Sequence, residues 1–83
     1  MTAADAIDRI AQRVCAETGA TLVKAERWQE KRGTWLYFEL DGYQHQILEM
    51  DYFVEDHGED LAVKLMVHGL RNPQMELKKI ERR

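Results

Sequence analysis

WQEKRGTWLYFELDGYQHQILEMDYFV, residues 28–54, is the stretch whose reading decides the fold. Asp41-Gly42 stands between two runs rich in aromatic and aliphatic residues. Asp-Gly favours the type I′ turn, which requires positive φ at both central positions and matches the twist of the flanking strands. A two-residue turn there pairs Leu40 with Tyr43, Phe38 with His45, Leu36 with Ile47 and Trp35 with Leu48. An earlier turn is centred on Glu30-Lys31-Arg32-Gly33. With a four-residue loop, Trp28 lies opposite Trp35, Ala25 opposite Phe38 and Lys24 opposite Glu39. A two-residue Arg32-Gly33 turn shifts those pairs by two, which leaves every side chain on the same face because side chains alternate with period two.

One face of this meander then carries Val23, Ala25, Leu36, Phe38, Leu40 and Ile47, an ordinary core face. The other carries Trp28, Trp35, Tyr37 and Leu48, ringed by Lys24, Glu26 and Glu39. A half-solvated antiparallel sheet alternates apolar and polar residues more cleanly than this, so the second face is too aromatic to be a plain wet surface.

The remaining segments pack against or close this unit. Thr2 to Asp5 carries helix-start signals, with Thr2 as cap and Asp5 near the positive end of the dipole. Ala3, Ile7, Ile10, Ala11 and Val14 come next at helical spacing up to Thr18, and Gly19 suits the left-handed residue that ends a helix. Strands are expected over 21–29, 34–40 and 43–54. Strict alternation in the third would place Glu49 and Asp51 in the core. Burying unpaired carboxylates costs several kcal/mol, so a β-bulge near Leu48-Glu49 is expected to return Met50, Tyr52 and Val54 to the core side. After the acidic turn 55–60, Leu61, Val63, Leu65 and Val67 alternate with Ala62, Lys64, Met66 and His68, predicting a fourth strand. Asn72-Pro73 opens a C-terminal helix ending in Lys78, Lys79, Arg82 and Arg83, or, as the alternative, a fifth strand from Met75 to Arg82. The expected architecture is α+β: an N-terminal helix on a four-stranded antiparallel meander with a short C-terminal helix, one domain over 1–83.

A chain of 83 residues buries only about 60% of its unfolded surface, so its core is small. At 45% hydrophobic and 33% charged it falls outside the disordered and membrane-embedded classes. A net charge of −3 and a pI near 5.6 argue against non-specific nucleic-acid binding, which needs a basic face. The single Cys15, the lack of a signal-peptide pattern and the lack of an apolar run long enough to span a bilayer lead to the expectation of a cytoplasmic protein without membrane attachment.

His45, His57, His68 and Cys15 match no zinc spacing and read as scattered surface histidines and a semi-buried thiol. The carboxylates Glu39, Asp41, Glu49, Asp51, Glu55 and Asp56 crowd one hairpin, but no spacing selects a catalytic set. No metal, cofactor or catalytic residue is implied. The order helix-Gly-strand-turn-strand, with Glu17-Thr-Gly-Ala20 leading into the first hairpin, resembles the N-terminal domain of bacterial ribosome-maturation factors. Nothing after Tyr43 takes part in that resemblance, and it implies no functional residue here.

The residues therefore point to a non-enzymatic protein-interaction module, binding a protein partner or a second copy through Trp28, Trp35, Tyr37 and Leu48, because Trp and Tyr are enriched at interaction hot spots. Two other readings exist. One is a nucleic-acid module stacking bases on Trp35 and Tyr37, with Lys24, Lys31 and Arg32 at phosphates. The other is a metal-dependent enzyme built on the hairpin carboxylates. For the Trp28/Trp35 face itself, the bland reading is a second small core covered by Met75, Leu77 and Ile80.

Overall fold

The computed structural model describes residues 3–72. Helix α1 spans Ala3–Thr18, followed by strands β1 (Thr21–Trp28), β2 (Gly33–Leu40) and β3 (Tyr43–Met50), then helices α2 (Asp51–His57) and α3 (Glu59–Arg71). The strands form one antiparallel sheet in the order β1-β2-β3. The class is α+β, as expected, but the sheet has three strands in the described chain and the helices take over after Met50. The expected Thr2 cap and the expected helix or strand over 73–83 lie outside the described residues. The described chain does close on a helix, which is α3.

The second hairpin forms as its turn residues dictate. Asp41 and Gly42 both take positive φ, 52° and 83°, and the register pairs Leu40 with Tyr43, Phe38 with His45, Leu36 with Ile47 and Trp35 with Leu48. The first hairpin turns one residue earlier than expected. A 3₁₀ turn over Gln29–Lys31 and a left-handed Arg32 (φ 53°) close it, so Trp28 faces Gly33 and Ala25 faces Leu36. The shift is by two, and the sides are kept. Gly33 lets the strands close up there: a Cβ would stand 2.9 Å from Met50 Sδ, which would have to move, and 3.2 Å from the Glu49 carbonyl.

One side changes near the start of β1. The register slips between Leu22 and Lys24, a bulge that leaves Val23 55% exposed and lets Leu22 pack on the core. Ala25, expected inside, is also exposed at this edge. Ile7, Ile10, Ala11 and Val14 of α1 and Leu36 and Phe38 of β2 are fully buried, as the face assignment requires. Leu40 and Ile47 are partly buried against them.

Residues 61–68 form part of a helix, not the expected fourth strand. Their apolar residues satisfy both periods: Leu61, Val63, Leu65 and Val67 alternate, while Ala62, Val63, Met66, Val67 and Leu70 form a helical stripe. The second set is the buried one. Tertiary packing decides, because α1 already presents an apolar stripe that α3 covers, with Arg9 bridging Glu59 (2.7 Å) and Arg13 bridging Asp60 (2.8 Å). Acidic Glu59 and Asp60 in the first turn and His68 and Arg71 in the last suit the helix dipole. Leu61 and Leu65 are left 39% and 52% exposed.

The expected bulge at Leu48-Glu49 is absent, and β3 stays in register to Met50. Tyr52, expected inside, is 60% exposed. The carboxylates that the bulge was expected to expel are instead buried, Glu49 at 7% and Asp51 at 3% exposure. Asp51 tolerates this because Arg27 donates to both of its oxygens (2.7 and 2.5 Å) and Arg32 Nε lies 3.9 Å away. The Asp51 amide also donates to the Arg32 carbonyl (2.9 Å), which fixes the start of α2 against the β1–β2 hairpin.

Candidate functional site

The helices gather on the Leu36/Phe38 side of the sheet, with α1 on β1 and β2, α2 on β3, and α3 on α1 and α2. The opposite face carries Trp35 between Glu26 and Leu48, and Tyr37 between Lys24 and Gln46. Trp28 and Trp35 stack with ring centroids 6.2 Å apart and planes 21° from parallel. Trp28 is 37% exposed, while Trp35, Tyr37 and Leu48 are half-buried. All four residues expected at the site thus share one face. The Tyr37 hydroxyl donates to Glu26 Oε1 at 2.9 Å, and this bond raises the phenol pKa. Lys24 Nζ sits 4.7 Å from the Tyr37 ring centre and 3.5 Å from Glu26 Oε2, so the polar residues on this face are tied to one another and to the aromatic ring.

Met50 is a fifth member that the sequence reading placed inside. It lies opposite Gly33 on the same row as Trp28, so its half-buried side chain extends the apolar face. Strict alternation from Leu48 already predicts this position. The bulge assumed in order to keep Glu49 in water hid it.

The inner face holds polar groups at the same end of the sheet. Arg27, Thr34 and Glu49 stand side by side across the three strands, and Arg27 Nη1 donates to Thr34 Oγ1 (3.2 Å) as well as to Asp51. The guanidinium holds the Asp51 carboxyl below its ordinary range. Arg32 Nη2 continues the chain of charges to Glu55 at 3.5 Å. This cluster anchors the turn that follows Trp28, so it positions the outer face without belonging to it.

Glu49 behaves differently. Desolvation pushes its pKa from 4.5 to about 7, opposed by the Met50 backbone N–H. The folded state therefore binds a proton that the unfolded chain releases between those values, and stability from this group is full below pH 4.5 and lost as pH rises to about 7. Each pKa unit corresponds to about 1.4 kcal/mol, so the loss is about 3 kcal/mol. Denaturant titrations at successive pH values should show this slope in the wild type, and Glu49→Gln should flatten it. A wild type whose stability is level across that window would contradict the burial of an acid here.

Glu49 also lines a cleft of about 340 Å³ along β3, walled by Ile47 and Leu48, by Phe53 of α2 and by Leu65, Met66 and Gly69 of α3. His45, expected at the surface, is buried at 4% exposure beside Phe38. Cys15 is half-buried against the core, and burial raises its pKa. Among the described residues no three of His, Cys, Asp and Glu converge as metal ligands. No described helix is long and apolar enough to cross a membrane. No protein-family model, curated protein or solved structure matches this chain. The fold and the face define a small α+β domain with a partly exposed aromatic sheet surface.

Proposed function

We propose that this chain is a non-enzymatic protein-interaction module, a small adaptor, inhibitor or accessory protein of the cytoplasm. It binds a protein partner or a second copy of itself through Trp28, Trp35, Tyr37 and Leu48. The observation that carries the reading is the stacked, partly exposed Trp28–Trp35 pair on a sheet face opposite the helical layer. Soluble chains seldom leave contiguous apolar patches unused, and Trp and Tyr offer large contact areas with few rotors to freeze. The alternative of base stacking on the same rings needs phosphate-binding cations beside them. Of the three cations that reading uses, Lys24 is paired with Glu26 and Arg32 with Asp51 and Glu55. Among the described residues this leaves exposed Lys31 alone of the three outside an ion pair, which favours the protein reading.

Trp35→Ala tests this. It is expected to weaken partner capture or self-association by about tenfold or more, as loss of a hot-spot aromatic does, while the melting curve stays cooperative. Sedimentation of wild type and mutant reads self-association, and affinity capture from the host reads a foreign partner. A monomeric wild type whose Trp35→Ala variant unfolds would make these rings internal packing and remove the proposal. Binding to single-stranded nucleic acid that falls steeply with salt would replace it with the base-stacking reading.

A further inference from the structure

We propose that the cleft between β3, α2 and α3 is a binding site for a small organic cation, a protonated primary amine on a hydrocarbon body, received by the Glu49 carboxylate. The site shares Leu48 alone with the aromatic face and does not depend on that face's function. Four observations meet here. The cleft, about 340 Å³, is at the small end of the range of ligand pockets. Its walls are apolar, from Ile47 and Phe53 to Leu65 and Met66, and among the described residues Glu49 is the one ionisable residue lining it. Leu65 is 52% exposed and Phe53 half-buried, so apolar surface at the rim stands open to a hydrocarbon. Gly69 lowers the α3 wall, with nothing within 4 Å of the place a Cβ would take.

Charge decides the ligand class. No Lys or Arg among the described residues pairs with Glu49. Its charged neighbours on the inner face, Arg27 and Asp51, are bound to each other. A carboxylate held in apolar surroundings interacts strongly with one well-placed cation, and it gains that contact only if the cation arrives with an apolar body that replaces water in the cleft. An anion would meet repulsion. A purely apolar ligand would leave the acid as it is. An alkylamine matches both halves of the site.

The test is an NMR titration of the full chain with hexylamine and, separately, hexanol, at about pH 8, where the acid is ionised. The amine is expected to move side-chain signals of Ile47, Phe53, Leu65 and Met66 and to bind at least tenfold more tightly than the alcohol. In Glu49→Gln that preference should vanish while alcohol binding remains. Leu65→Gln, at an exposed position, should weaken both ligands without altering the melting curve. Equal binding of amine and alcohol to the wild type would overturn the proposal, as would shifts confined to another surface.

Discussion

Arg27→Ala is expected to cost about 3 kcal/mol, the low end of the usual penalty when one partner of a buried ion pair is removed and the other stays behind. Asp51 is 3% exposed and takes two hydrogen bonds from this one guanidinium, which also holds Thr34. Without it the carboxylate keeps Arg32 at 3.9 Å and little else, a contact too long to satisfy its oxygens. A domain of 83 residues has a total stability of roughly 4–12 kcal/mol, so the loss is a large fraction of the whole. The denaturant midpoint should fall accordingly. Two further results identify the cause. In a double-mutant cycle, Arg27→Ala with Asp51→Ala should cost less than the sum of the single changes, because no buried charge remains. The sign of the pH effect is set by Asp51, whose folded pKa lies below 3.8. The pair's contribution is therefore present above that value and lost as pH falls through the folded pKa. The cost of Arg27→Ala should shrink on acidification. A cost independent of pH would mean that packing of the Arg27 stem, not the ion pair, holds the hairpin to α2.

Phe38→Ala is expected to be the most damaging single truncation in the sheet, about 3–5 kcal/mol, since Phe38 is fully buried among α1 and β2 core residues and its removal leaves a cavity. Ile10→Ala, at an equally buried position across the same layer, should cost about 2–5 kcal/mol. The informative control is the adjacent Tyr37, which alternation places on the outer face. Its half-buried ring loses one hydrogen bond to Glu26 and a cation contact from Lys24 on truncation, both near solvent, so Tyr37→Ala should cost about 1 kcal/mol or less. Equal losses at Phe38 and Tyr37, read from denaturant midpoints, would show that the outer face is packed as firmly as the core and would count against its role in binding.

Several features were already legible in local residue chemistry. Ile7, Ile10, Ala11 and Val14 fall on one side of a helix whatever surrounds them, and Gly19 ends that helix with φ 81° and an N–H to the Cys15 carbonyl (2.9 Å). Asp41-Gly42 carries its turn type in two residues, and the turn type fixes the register of the strands on either side. Once register is fixed, alternation puts Phe38 inside and Trp35 and Tyr37 outside. The grouping of Trp28, Trp35, Tyr37 and Leu48 on one face comes from these short-range rules, which is why it survived a first turn that closed one residue early.

The features that the sequence by itself could not decide depended on contacts with distant residues. The segment from Leu61 to Leu70 fits two periods, and only the stripe on α1 selects the helix. Glu49 and Asp51 looked too costly to bury because a carboxylate is judged by its sequence neighbours. The cation that admits Asp51 is Arg27, 24 residues upstream, brought close by the hairpin. Glu49 is admitted by a different route, with desolvation moving its pKa to about 7 so that below neutrality it is largely protonated in the folded state. The cost that argued for a bulge is thus met by an ion pair in one case and by a bound proton in the other. Each exists only once β1, β3 and the start of α2 have come together.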